Sequence, residues 1–167
     1  MDCTCDRCQA FCRNKPGWFL PGQIETVARS LHLTVAALFR QYLRIDMALV
    51  REGERTTAIY VLAPAIRGTK PGAITDPTAH GDCIWLTDGR CAIHAVKPAE
   101  CGAIDHTTSP QDINLTRATI LKQWMPYKRL IQDLYGKKLK PPQAVKDAYR
   151  KARKGQAATP SGDAGAA

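Results

Sequence analysis

Apolar residues recur at helical spacing in two stretches that follow residue 20. The first stretch predicts a helix over residues 22–31, with Glu25 in its first turn. In the second, Thr34 suits the N-cap position of a helix whose apolar stripe ends at Leu43. The short connection between the two stretches predicts an αα-hairpin.

Two β-prone runs come next, at residues 47–50 and 58–62, and Glu52-Gly53-Glu54 between them predicts a hairpin turn. A connection rich in glycine and proline, residues 63–81, leads to a second hairpin. Its turn is signalled by Asp88-Gly89, which would place Leu86 opposite Cys91 and Cys83 opposite His94.

Helical patterns return at residues 112–124 and 127–135, separated by Met125-Pro126. Pro141-Pro142 would start a last basic helix that runs to about Lys154. Residues 1–20 show neither period and predict a loop, and the small, polar residues from 155 onward predict a disordered tail.

These elements predict an α+β fold with an N-terminal Cys loop, an αα-hairpin, short β-hairpins and C-terminal helices. With 167 residues, 44% of them hydrophobic and 23% charged, the chain is expected to fold around one modest core. We expect a cysteine-cluster domain over residues 1–110, a basic helical extension packed on it over 111–154, and a disordered tail over 155–167.

The N-terminus lacks the basic start and apolar run of a signal peptide, and no apolar stretch reaches the length of a membrane span. The sequence therefore predicts a soluble, cytoplasmic protein without a membrane partner. In a reducing compartment, cysteines act more often as metal ligands or redox thiols than as structural disulfides.

The seven cysteines form two groups, one within the first twelve residues and one within residues 83–101. The spacing Cys5-x2-Cys8 lets two thiolates bind one metal, and a third cysteine follows four residues later. Two groups of three thiolates predict a site that staples both ends of the domain together. The predicted metal ligands are Cys5, Cys8, Cys12, Cys83, Cys91 and Cys101.

Each of these residues also has a structural interpretation. A buried cysteine on a strand is commonly a small core residue, and Cys3 fits an exposed terminal thiol. Three histidines, His80, His94 and His106, lie beside the second cysteine group and are alternative ligands or neighbours of the site.

The cysteine segments are similar to the YkgJ-type cysteine-cluster family, which is described as zinc- or iron-chelating. The similar segments are Cys5-Asp6-Arg7-Cys8-Gln9-Ala10-Phe11-Cys12, Cys83–His94 and Lys97-Pro98-Ala99-Glu100-Cys101. The family motif CxxCxxCC has adjacent cysteines where this chain has Phe11 and Cys12. The family's two arginines around the last cysteine are also missing here, and His94 stands where tyrosine is usual.

The resemblance implies a metal but leaves its identity open. Zinc takes four tetrahedral Cys or His ligands, and a four-iron cluster takes four thiolates, so six cysteines suit either with some to spare. The cofactor is therefore predicted to be zinc or an iron-sulfur cluster. An alternative is an iron-sulfur redox or group-transfer enzyme, with catalytic residues unknown.

Positive charge is concentrated in residues 117–154, which contain twelve Lys or Arg and only two Asp. The formal net charge of the whole chain is +9. A second alternative is therefore a nucleic-acid-binding module built on these helices, and the simpler interpretation is a solvated basic face. The sequence contains no Ser-His-Asp arrangement, phosphate-binding glycine loop or HExxH motif, which speaks against the corresponding hydrolase and nucleotide-binding classes.

Overall fold

A computed structural model describes residues 5–53, 55–76, 78–143, 145 and 147. The fold is α+β, with two small antiparallel sheets and helices before and after them. The α-helices are α1 (Asp6–Arg13), α2 (Gln23–Ser30), α3 (Val35–Tyr42), α4 (Ala99–Ala103), α5 (Pro110–Trp124) and α6 (Lys128–Tyr135). The strands are β1 (Leu43–Glu52), β2 (Arg55–Pro64), β3 (Leu86–Thr87) and β4 (Arg90–Cys91). Single 3₁₀ turns occupy His94–Val96 and Met125–Tyr127.

The αα-hairpin is confirmed. Helices α2 and α3 lie close to their predicted bounds, and Thr34 caps α3 by accepting a hydrogen bond from the backbone N–H of Ala37 at 3.1 Å. Each helix buries its apolar stripe, which includes Ile24 and Val27 on α2 and Leu38 and Phe39 on α3. Amphipathic spacing and a local cap are therefore enough to define this unit.

The first hairpin is longer than predicted. Strands β1 and β2 pair from Leu43↔Pro64 to Glu52↔Arg55, so each has ten residues. The strands extend beyond the predicted runs because Leu43, Ile45 and Leu62 are fully buried in the core. The turn passes through Gly53, whose φ of 59° is readily accessible to glycine.

The second hairpin has the predicted turn and only part of the predicted pairing. Asp88 and Gly89 both have positive φ, 49° and 71°, as a two-residue hairpin turn requires, and Leu86 pairs with Cys91. The pairing of Cys83 with His94 is wrong. Instead, Cys83 forms a bridge with Ile66, just beyond the end of β2.

The predicted N-terminal Cys loop is wrong for residues 6–13, which form α1. Between Asp6 and Arg13 the chain has no proline or glycine, and the acidic first turn and basic last turn suit the helix dipole. The irregular segment starts at Asn14, where Pro16 and Gly17 follow. Cys5, Cys8 and Cys12 have helical spacing, but the residues between them are mostly polar and the same spacing suits a metal-binding loop.

The C-terminal helices pack on the rest of the molecule. Helices α5 and α6 follow the predicted break at Met125-Pro126, and Ser109 caps α5 through the Asp112 N–H. Trp124 of α5 is 1% exposed, and its indole N–H donates to the carbonyl of Phe19 at 2.6 Å. The last predicted basic helix, from Pro141-Pro142 to about Lys154, lies largely outside the described residues, and the predicted tail lies wholly outside them.

Candidate metal centre

Four of the six predicted ligands line one cavity of about 550 Å³: Cys12, Cys83, Cys91 and Cys101. They come from α1, from the two sides of the second hairpin and from α4, so the sequence brings them together only through the tertiary fold. All four are thiols that form no disulfide. Cys83 is buried, and the other three are half-buried.

Backbone contacts hold the four cysteines in place. The backbone N–H of Cys83 donates to the carbonyl of Cys12 at 2.6 Å, which joins α1 to the hairpin. Gln9 makes a second contact between α1 and the hairpin, because its side-chain amide donates to the carbonyl of Gly89 at 2.8 Å. On the opposite side, Gly17 lies so close to Cys101 that a Cβ atom there would stand 2.9 Å from the sulfur.

Three of the thiols also interact with backbone N–H groups. The N–H of Trp85 lowers the pKa of Cys83, that of Ile93 lowers the pKa of Cys91, and that of Gly17 lowers the pKa of Cys101. In the two hairpin cysteines the donor is the residue two positions later. Such donors favour the thiolate, the form that ligates metals.

Burial raises the pKa of all four thiols, that of Cys83 to about 12. Mutual repulsion adds to this effect, because Cys12 and Cys91 both raise the pKa of Cys83, and Cys12 also raises that of Cys101. The four sulfurs are thus within electrostatic range of one another. In the absence of a cation they hold their protons at neutral pH.

Several cations face this group of sulfurs. Lys97 lines the cavity and lowers the pKa of Cys12 and Cys91, although burial outweighs it. Arg13 acts in the same direction on Cys12, and Arg44 on Cys83. Positive charge around the four sulfurs favours a centre of net negative charge.

The structure separates Cys5 from the four cavity cysteines. Cys5 stands at the N-cap of α1 and Cys12 near its end, and seven helical residues span about 10 Å. Cys5 is exposed, with its sulfur 4.0 Å from Nδ1 of His106. The side chain of Cys8 and all of Cys3 lie outside the described part of the chain.

The three candidate histidines are all exposed, but they occupy different positions. His94 and His106 line the cavity, and Nε2 of His94 lies 3.1 Å from Nζ of Lys97. His80 is not among the residues that line the cavity. Phe11, which stands where the family motif has a cysteine, is a wall residue and has the guanidinium of Arg117 6.0 Å from its ring centre.

Within the described residues, no group of three or more His, Cys, Asp or Glu side chains is arranged to hold a metal ion as it stands. The four thiols share a cavity without converging on one point. The metal staple therefore stays a prediction.

Sequence reasoning missed a network of buried charges behind the cavity. Arg44 is fully buried and lies 3.5 Å from the carboxylate of Asp46, which is itself 2% exposed. Glu100, beside Cys101, is 1% exposed and accepts hydrogen bonds from the Trp18 N–H at 2.8 Å and from Arg117 at 2.6 Å. The signal available in the sequence was the pair Arg44 and Asp46 inside an otherwise apolar run.

Only part of the predicted basic segment lies within the described residues. Lys137, Lys138 and Lys140 are exposed around a buried Leu139. The second basic cluster, residues 150–154, lies outside the described residues. No described helix combines the length and apolar character needed to cross a membrane.

Comparison of the chain with protein-family models, with curated proteins and with solved structures finds no match. The resemblance to the YkgJ-type cysteine-cluster family therefore stays a prediction that rests on the cysteine segments, and the function has to be argued from the cavity itself.

Proposed function

We propose that this chain is a metal-binding protein that holds zinc or an iron-sulfur centre through Cys12, Cys83, Cys91 and Cys101. The observation that carries the proposal is the meeting of four thiols from three separate segments at one cavity. Four thiolates satisfy the tetrahedral preference of zinc and equally the four irons of a cubic cluster.

The donor set fits such a group in two ways. Backbone N–H groups at three sulfurs favour thiolates, and the surrounding cations offset their charge. The raised pKa values mean that a metal ion has to displace protons, as in other thiolate sites. Binding one ion requires the four side chains to converge, because among the described residues they do not yet form a group that could hold a metal.

Zinc titration of the chelator-treated full chain tests this proposal. We expect the wild type to bind zinc and Cys101→Ser to lose most of its affinity, because a hydroxyl is a far poorer zinc ligand than a thiolate. Cys5→Ser is the matched control, since Cys5 lies about two helical turns from Cys12. Equal binding by wild type and Cys101→Ser would contradict the assignment.

A second candidate function is favoured by the size of the cavity. A volume of about 550 Å³ falls in the range of small-molecule sites and exceeds what a single metal ion occupies. Its walls are largely apolar, with Phe11, Trp85 and Ile93 among them. This space suits an iron-sulfur redox or group-transfer enzyme whose substrate lies beside the centre.

Anaerobic purification distinguishes the two candidates. An iron-sulfur centre gives visible absorbance that is bleached by air, whereas a zinc site is colourless. Visible absorbance with bound iron is required by the enzyme and is compatible with it, whereas colourless protein that contains zinc rules the iron-sulfur enzyme out.

A further inference from the structure

Arg44 lies directly behind the wall of the cysteine cavity. It is on β1, opposite Ala63 of β2, and is fully buried. Its Nε donates to the carbonyl of Pro64 at 2.9 Å and its Nη2 to that of Pro16 at 3.0 Å. Both prolines line the cavity, so the guanidinium is fixed against its inner side.

The remaining nitrogen of this guanidinium, Nη1, is buried and has no hydrogen-bond partner among the described residues. An unpaired buried donor costs about 1–3 kcal/mol, and more when it is charged. Such a cost is retained where the donor serves a group that is bound only part of the time. The orphaned donor therefore points to an acceptor that the bound state supplies.

Cys83 is the cavity cysteine that lies beside the end of β2. It bridges to Ile66, immediately after the end of β2, and the N–H of Ile84 donates to the carbonyl of Ala65 at 2.9 Å. Arg44 donates to the carbonyl of Pro64, two residues before the Ile66 that bridges to Cys83. Arg44 and Cys83 therefore lie on neighbouring segments at the end of β2.

The other charges near Arg44 leave it with positive charge to spare. Asp46 lies 3.5 Å from Arg44, but Lys15 also contacts this carboxylate at 3.6 Å, and the indole of Trp18 donates to it at 2.9 Å. Two cations therefore share one anion. Glu100 also acts on Arg44, but its carboxylate is already engaged by Arg117 at 2.6 Å.

The proposed centre needs such a charge, because four thiolates around a divalent metal carry two net negative charges. An oxidised four-iron cluster with four thiolates has the same net charge. Placing this charge in a half-buried cavity is costly unless it is compensated.

We propose that Arg44 is a positioning residue for the metal centre, which donates a hydrogen bond from Nη1 to the metal-bound Cys83 thiolate and offsets the negative charge of the centre. This inference rests on the proposed function. Arg44 makes no bond to the metal, and it acts through Cys83.

The test compares zinc affinity, measured by competition with a chromophoric chelator, in the full chain and two variants. Asp46→Asn removes the anion that shares the charge of Arg44, so we expect zinc to bind more tightly than in the wild type. The double variant Arg44→Met/Asp46→Asn removes the buried pair together and leaves no unpaired charge. We expect it to bind zinc about 10–100-fold more weakly than Asp46→Asn, as is typical when a group that supports a ligand is lost.

A purely structural Arg44, present only to neutralise Asp46, predicts equal zinc affinity in the double variant and in Asp46→Asn, and that result overturns the inference. If circular dichroism shows that the double variant does not fold, the zinc affinity of Asp46→Asn is the test. An affinity equal to or weaker than that of the wild type then overturns the inference. A wild type that binds neither zinc nor iron instead refutes the proposed function itself.

Discussion

At the scale of single residues, the tightest constraint on the candidate centre is Gly17. Its backbone N–H lowers the pKa of Cys101, and its Cα faces both Cys101 and Glu100. A Cβ atom at this position would stand 2.9 Å from the Cys101 sulfur and 2.9 Å from the Glu100 Cβ. Glycine is therefore required here for close approach.

We expect Gly17→Ala to lower the free energy of unfolding by about 1–3 kcal/mol, because the methyl group overpacks a buried site. Gly22→Ala is the matched control, since a Cβ there meets nothing within 4 Å and its φ is −69°. Urea denaturation measures both variants. Equal stability of the two would contradict the close packing of Gly17 on α4.

The pKa of Cys83 predicts opposite pH dependences with and without metal. Burial raises this pKa in the folded state to about 12, above the value of about 8.5 in unfolded chains. The protonated thiol therefore contributes stability below about pH 8.5 that is lost as the pH rises toward 12. In metal-free protein the free energy of unfolding should fall over this range. Zinc binding should strengthen as the pH rises from 6 to 8, because fewer protons compete.

Denaturation of chelator-treated protein at a series of pH values checks the first expectation. Cys83→Ala should show a shallower fall, because it lacks the thiol that stays protonated only in the folded state. An equally steep fall in both proteins would mean that other groups cause it.

At the scale of elements, α5 is fastened to the centre by one ion pair. Arg117 reaches from α5 to Glu100 of α4, and its guanidinium lies over the rings of Phe11 and Trp18, at 6.0 and 5.6 Å from their centres. Glu100 precedes Cys101, so this contact orients the helix that carries one proposed ligand. The basic extension is thus joined to the cysteine domain at the site itself.

Arg117→Met should reduce the free energy of unfolding by about 1–3 kcal/mol, because it leaves the buried Glu100 carboxylate without its cation. Partial exposure of Arg117, whose side chain is 38% accessible, keeps the effect below that of a fully buried pair. Arg129→Met on the exposed face of α6 is the control and should have little effect. Thermal unfolding compares the two variants, and equal shifts would show that Arg117 is a surface residue only.

The elements that could be predicted from the sequence are those with local signals. The αα-hairpin follows from apolar spacing and the Thr34 cap, and the second hairpin from Asp88-Gly89. Helix α1 is hard to predict, because Cys5, Cys8 and Cys12 have a spacing that suits both a helix and a metal-binding loop. A loop would let Cys5 fold back beside Cys12, whereas the helix spans about 10 Å between them. Cys5 as a ligand stays a prediction.

At the scale of the whole molecule, the apolar core lies directly against the cavity of the candidate centre. Cys83, Trp85 and Ile93 belong to the main apolar cluster and also line the cavity. Arg44 could not be assigned a role from the sequence, because its partners Pro16 and Pro64 are brought together only by the tertiary fold. Four cysteines from three segments meet for the same reason.

Removal of the metal should therefore destabilise the whole molecule. The proposed ligation would close the contact between α1, the second hairpin and α4, so its free energy would contribute to folding. We expect a marked fall in Tm after chelation and recovery when zinc or iron is restored. A Tm that is unchanged by chelation would contradict a structural role for the metal.

The most direct test of the central claim is the metal content of the full chain purified without added metal, measured by elemental analysis together with that of Cys101→Ser. The account predicts about one zinc or about four irons per chain in the wild type and a large loss in the variant. Wild-type protein with neither metal, or a variant with the same content, would contradict the assignment of Cys12, Cys83, Cys91 and Cys101 as the ligands.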